Sequence, residues 1–209
     1  MYIPKQFGLT NPDIIARFIR ENGFATLVSG GMEYPYATHI PIELEHNAKG
    51  EQILTGHLAK ANPHWKSFES HPLVTAIFLS DVNHYISSSW YDHPNAPTWN
   101  YISVHVSGRI KILDKQQTWD AVKRLTDRYE SISSKPVSLE TLPPAIQSEI
   151  SGVIAFEIEI DHIDAVCKMS QNRDDKNYRL ILQELRKLAD PKALLLADMM
   201  EELRNSASV

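Results

Sequence analysis

The chain has a single cysteine, Cys167, so no disulfide can close within it and no metal site can rest on a cysteine cluster. Positive charge is in the minority: 21 Lys and Arg stand against 26 Asp and Glu, a net charge of −5. That balance argues against non-specific nucleic-acid binding, which needs a basic face, although a local patch would escape the count. No run of 18 apolar residues occurs, and the opening MYIPKQFGLTNPDII has no apolar stretch of signal-peptide length. The expectation is a cytoplasmic protein with no membrane partner. Neither GxGxxG nor GxxxxGK[ST] is present, which removes the dinucleotide and P-loop readings. HExxH and the GxSxG nucleophile elbow are also missing. His39 and His46 lie seven apart, on opposite faces of a strand, and no metal site is expected.

What remains is an ordinary globular balance, 43% hydrophobic and 22% charged residues. Asn11-Pro12 followed by DIIARFIREN reads as a capped helix with Ile14, Ile15, Phe18 and Ile19 on one face, stopped by Gly23. FATLVSG, YATHIPIELEH and EQILTGHLA read as three consecutive strands, and LVTAIFLS as a buried one. HYISSSWY and WNYISVHVSGRIKIL read as two more. QTWDAVKRLTDRYE then switches to helical spacing at Trp119, Val122, Leu125 and Tyr129. After a Ser- and Pro-rich loop over residues 131–144, GVIAFEIEIDHIDAV is a last strand, and two helices broken before Pro191 close the chain. Strands in sequence with helices at the start, in one insertion and at the end favour a mainly β, α+β fold: an antiparallel barrel with flanking helices.

Four segments carry more polar and aromatic residues than strands or turns need. They are ATHIPI with Thr38 and His39, TGHLAKANPHW over residues 55–65, PTWNY over residues 97–101, and KMSQNR over residues 168–173. Together they offer hydroxyls, amides, a few cations and flat rings. A flavin mononucleotide needs that mixture: charge-assisted donors for its phosphate, apolar walls and polar edge contacts for its ring system. Taken singly, His39, His57 and His105 fit buried, hydrogen-bonded core positions as well, and Trp65 and Trp99 fit core positions. In PTWNYISV, strand alternation puts Thr98 and Asn100 on one side as donors, with Trp99 and Tyr101 facing a core or a subunit interface. Cys167, beside Lys168, reads as a structural cysteine rather than an activated one.

At these residues the sequence resembles the PaiB-type family of FMN-binding negative transcriptional regulators. The matches are MYIPKQF, ATHIPI, TGHLAKANPHW, YISSSWY, APTWNY with VHV and Gly108, and KMSQNR, in family order from Met1 to Arg173. The resemblance implies a split β-barrel related to pyridoxamine 5′-phosphate oxidases, usually a homodimer with FMN in a cleft between subunits. It implies one FMN-binding domain over residues 1–175, with a helical extension over residues 176–209 packed on the barrel. By similarity Gly56, His57, Lys60 and Asn62, with His64, belong to the segment that holds the phosphate. Thr38, His39, Ile40 and Pro41 would lie along the flavin ring. Thr98, Trp99, Asn100 and Tyr101, with Lys168, Ser170, Gln171 and Asn172, would complete the cleft from either subunit. The chain departs from the family at Asp81-Val82, Ser88 and Ala165-Val166, which implies a different turn and one cation fewer near the site.

Three functions follow as alternatives: a flavin-dependent oxidoreductase or sensor, a transcriptional regulator acting through protein or DNA partners, and a haem-handling split barrel. No catalytic residue can be assigned from the sequence.

Overall fold

The computed structural model describes residues 1–206. Seven strands form one antiparallel sheet in the order β4-β1-β2-β3-β7-β6-β5, and a further β4–β6 pairing closes six of them into a barrel. They are β1 (Phe24–Ser29), β2 (Tyr36–His46), β3 (Gln52–Ala59), β4 (Leu73–Leu79), β5 (His84–Ile86), β6 (Thr98–Ile112) and β7 (Val153–Lys168). The helices are α1 (Pro12–Glu21), α2 (Lys115–Glu130), α3 (Pro144–Gln147), α4 (Asp175–Lys187) and α5 (Pro191–Ser206). The expected mainly β split barrel with flanking and C-terminal helices is therefore what the chain forms.

The chain divides into two compact units. One comprises Ala16–Phe78 and His105–Ile163; the other comprises Met1–Ile15, Leu79–Val104 and the chain from Asp164 onward. The first holds the barrel. Its register sets Leu27 opposite Thr38, Ile42 opposite Gly56, and His57 opposite Ala155. Thr75 and Ser107 share a hydroxyl contact of 3.0 Å across the closing pair of strands. Alternate strand positions point inward, so Leu27, Ile42, Leu54, Leu58, Phe78, Val106, Phe156 and Ile158 are buried. Each such side chain contributes about 1.5–3 kcal/mol. Two glycines permit this packing. A Cβ at Gly108 would stand 2.0 Å from the Glu159 carbonyl oxygen, and one at Gly56 would stand 2.6 Å from the Phe156 ring.

α2 begins with a capping box: Asp114 accepts from the Gln117 amide, and the Gln117 side chain accepts from the Asp114 amide. It is tied to β2 by charge. Arg124 makes a two-armed contact with Glu45 at 3.1 Å for each arm. Buried Glu43 accepts from Arg128 and, at 3.0 Å, from the Tyr129 hydroxyl.

In the second unit, β5 pairs with the first residues of β6, setting His84 opposite Asn100 and Tyr85 opposite Trp99. α4 and α5 bury Tyr178, Ile181, Leu185, Leu196 and Met200. Asp174 caps α4 by accepting from the Lys176 and Asn177 amides. Three expectations need correction. HYISSSWY is a strand only over His84–Ile86, because Ser87 Oγ accepts from the Ser89 amide and folds the rest into a 3-10 turn. Residues 131–144 are not a bare loop but carry a 3-10 turn at Leu139–Thr141. Ile14, expected on the buried face of α1, is exposed, and Ala16, Phe18 and Ile19 are the buried positions. Among the described residues no helix is long and apolar enough to cross a membrane.

Candidate functional site

The sequence-predicted residues fall into two clusters, one in each unit. The barrel cluster centres on His64, which lies in the 3-10 turn Pro63–Ser67 and is 1% exposed. Asn62 starts that turn: its Oδ1 accepts from the His64 amide at 3.0 Å, and Pro63 sets the first turn position. The imidazole is bonded at both nitrogens. Nδ1 lies 2.8 Å from the Thr38 hydroxyl, and Nε2 lies 2.9 Å from the Ser29 hydroxyl. Asn62 Nδ2 donates to Thr38 Oγ1 at 3.4 Å, and Ser29 Oγ contacts Ser67 Oγ at 2.8 Å. Tyr36 stacks on the ring at 5.3 Å and Phe68 meets it edge-on at 5.1 Å. Burial lowers the His64 pKa and keeps the ring neutral.

Around this centre the other barrel residues take different positions. Thr38 is half-buried, between exposed Ala37 and His39 in the strand. His39 points to the other face and bonds Thr26 Oγ1 at 2.8 Å. Ile40 is core, and half-buried Pro41 places its carbonyl oxygen against the Gly56 approach. His57, one position from Gly56, is half-buried beside Ala121 and Leu125 of α2, and burial lowers its pKa. Lys60 Nζ donates to the Ser151 carbonyl, and the Lys60 carbonyl accepts from Trp65 Nε1 at 3.0 Å. Ser29, Ser67 and Tyr36 were not singled out by the sequence. Only the Asn62-Pro63 cap, which fixes the turn carrying His64 and Ser67, hinted at them.

The second cluster joins the start of β6 to the end of β7. Lys168 Nζ donates to Thr98 Oγ1 and sits 5.7 Å from the Phe7 ring centre. Burial, with the Arg173 charge nearby, lowers its pKa. Among the described residues no carboxylate pairs with it. The Arg173 guanidinium lies 5.0 Å over the Tyr91 ring. Ser170 holds a positive φ of 59°, a costly conformation for serine. Gln171 supports that turn: its Oε1 accepts from the Met169 amide at 2.7 Å, and its Nε2 donates to the Cys167 carbonyl at 2.5 Å. Asn172 is exposed.

Asn100 corrects the expectation of a ligand donor, and Trp99 drops its own core alternative. Asn100 is fully buried, accepting from Ser170 Oγ at 3.1 Å and donating to Met200 Sδ at 3.4 Å. Its amide is spent inside the fold and is not open to a ligand. Trp99 is 53% exposed and meets Tyr85 edge-on at 6.0 Å, so it is not a core residue; Tyr101 is half-buried. Cys167 is buried, with its thiol pushed up to about 11, which makes it inert.

The donor set suits a flavin nucleotide. A phosphate needs hydrogen-bond donors free of competing carboxylates. Among the described residues no carboxylate hydrogen-bonds to Thr38, Asn62, Lys60 or Lys168, while Lys111, Lys123, Arg124, Arg128 and Lys176 are each paired with one. Tyr36 adds a flat, partly exposed ring beside Thr38 and His64.

Comparison with known proteins agrees. The family described as "Putative FMN-binding domain" matches residues 1–162. The chain is 38% identical over 204 residues to protease synthase and sporulation protein PAI 2 of Bacillus subtilis, covering 97% of each. Its fold resembles the FAD- and haem-binding protein of Mycobacterium smegmatis, with a TM-score of 0.61, 14% identity and coverage of 82% and 78% of the two chains. It also resembles the flavocytochrome Anf3 of Azotobacter vinelandii, with a TM-score of 0.58, 17% identity and coverage of 85% and 78%. With the barrel, the motifs and these matches together, the chain belongs to the PaiB-type family of FMN-binding split barrels.

Proposed function

We propose that this FMN-binding split barrel is a flavin-dependent redox regulator. Asn62 and Lys60 hold the phosphate together with Thr38. The resemblance set Thr38 along the flavin ring, but His64 Nδ1 and Asn62 Nδ2 tie it to the TGHLAKANPHW segment. Lys168 answers the charge of the flavin ring. Bound FMN supplies reversible electron and hydride chemistry. The protein's own part is to bind, orient and tune. The observation that carries the reading is Lys168: a half-buried ammonium held at a neutral hydroxyl, with a lowered pKa and no carboxylate partner among the described residues. Such a cation gains from a developing negative charge near flavin N1. The family resemblance implies FMN between two copies; on that reading each copy supplies a phosphate cluster for one flavin and a Lys168 for the other. Exposed Tyr85 and Trp99 on strand faces support a homodimer, since aromatics anchor interfaces. The regulatory part of the reading rests on the family and on the PAI 2 relative.

FMN should quench its own fluorescence on binding and raise the melting temperature by mass action. Lys168→Ala should weaken FMN binding by about 1.5–3 kcal/mol, roughly ten- to a hundredfold. Unchanged FMN affinity in that variant would remove Lys168 from the cofactor and leave the redox reading without its support. Haem co-purifying in place of flavin would favour the haem-handling alternative.

A further inference from the structure

The His64 network contains a count of hydrogens that decides how Thr38 can be used. Five contacts each need one hydrogen: Thr38 Oγ1 with His64 Nδ1, His64 Nε2 with Ser29 Oγ, Ser29 Oγ with Ser67 Oγ, Ser67 Oγ with the His64 carbonyl at 2.8 Å, and Ser29 Oγ with the Gly30 carbonyl at 3.1 Å. A neutral imidazole and three hydroxyls carry four hydrogens in all. At most four of the five can be filled, only with the Nε2–H tautomer, and the four shortest are filled in one direction. Thr38 donates to Nδ1, Nε2–H donates to Ser29, Ser29 donates to Ser67, and Ser67 donates to the carbonyl. Asn62 Nδ2 then donates to Thr38 Oγ1, whose own hydrogen is spent inward.

The other tautomer reverses the chain. Nδ1–H donates to Thr38, Ser29 donates to Nε2, and two inner pairs of oxygens have no hydrogen between them, one more than with Nε2–H. The Thr38 hydrogen is now free for an acceptor from outside the network, and Thr38 is half-buried rather than sealed in the core. An anionic oxygen placed there accepts a charge-assisted bond, which is stronger than the neutral hydrogen bond between two inner oxygens. Thr38 would then accept two hydrogens, from His64 and Asn62, and donate the third.

We propose that His64 is a positioning residue whose tautomer sets Thr38 as a phosphate donor: Nε2–H in the free protein, Nδ1–H when the phosphate of FMN is bound. This rests on the phosphate assignment above. No proton enters or leaves the protein; one moves from Nε2 to Nδ1 as the hydroxyls reorient. The ring stays uncharged because it is buried among Tyr36, Phe68, Ser29, Thr38 and Ser67, none of them a counter-ion.

Nitrogen-15 NMR of the full chain, labelled at histidine, reads the tautomer directly. The spectrum is taken free, with FMN, with riboflavin, which lacks the phosphate, and with inorganic phosphate. The expected result is Nε2–H free and with riboflavin, and Nδ1–H with FMN. An Nδ1–H ring in the free protein overturns the inference, as does an Nε2–H ring with FMN bound, or a doubly protonated ring. Should FMN fail to bind, the functional reading falls by itself; inorganic phosphate that still moves the ring to Nδ1–H sustains the His64 inference, and a ring that no anion moves ends it. Thr38→Val should lose at least about tenfold in FMN affinity with riboflavin unchanged, and Thr38→Ser should restore it. Equal losses for FMN and riboflavin in Thr38→Val would count against the phosphate contact.

Discussion

The two clusters solve opposite problems. Around His64 every polar group is neutral and bonded to another neutral group, three hydroxyls and an amide locking one buried ring. Around Lys168 a charge is held half-buried against a single hydroxyl and an aromatic ring, with a second cation nearby that makes the charge less welcome. The first arrangement is complete without a ligand and shapes a donor. The second is incomplete and improves when negative charge arrives. A neutral, saturated network contributes to folding and fixes geometry. An uncompensated cation contributes little to folding and much to whatever binds it.

The sharpest way to break this contrast is to remove each centre and compare stability with binding. His64→Leu leaves buried hydroxyls without partners and should cost about 2–4 kcal/mol of unfolding free energy in urea. Lys168→Met keeps the stem and should change stability by under about 1 kcal/mol. Comparable losses in the two variants would erase the distinction. A smaller effect concerns acid. Burial lowers the His64 and His57 pKa values in the folded chain, so the unfolded chain takes up protons first. The stability from their neutral forms is full above the ordinary imidazole value of 6.5 and is lost as pH falls from there toward the lowered folded values. Urea midpoints followed from about pH 7.5 to about pH 5 should fall, and His57→Gln should flatten part of that slope. A midpoint that rises on acidification would contradict the neutral assignment. The smallest effect is expected at Lys60, which is exposed and whose ammonium, among the described residues, donates to the Ser151 carbonyl alone. Lys60→Ala should weaken FMN no more than about fivefold, and the loss should vanish at high salt.

Much of this was legible in the residues. Alternation and turn chemistry located the barrel strands, and helical spacing from Trp119 to Tyr129 located α2, though not the Asp114 capping box that starts it. The segments proposed for the flavin were legible as clusters of donors and rings. What periodicity could not give was which side of a strand is covered. It separated Thr98 and Asn100 from Trp99 and Tyr101, yet Asn100 is buried against Ser170 and Met200 while Trp99 faces out. Met200 lies a hundred residues away, so nothing local to PTWNY announces it. The His64 network is likewise assembled from β1, β2 and a 3-10 turn, with Ser29 at 35 residues from His64. The motif TGHLAKANPHW contains the ring but neither of the hydroxyls that hold it. Local hydrogen bonding also overrode pattern at Ser87, where a side chain ended a strand that its aromatic residues favoured.

A redox titration of bound FMN in the wild type, Thr38→Val and Lys168→Ala tests the division of labour between the two clusters most directly. A phosphate contact treats both redox states alike, so Thr38→Val should weaken binding and leave the midpoint potential where it was. A cation near N1 favours the reduced flavin, so Lys168→Ala should weaken the reduced form more and shift the potential to lower values. Equal shifts in both variants, or a potential that moves only in Thr38→Val, would contradict it.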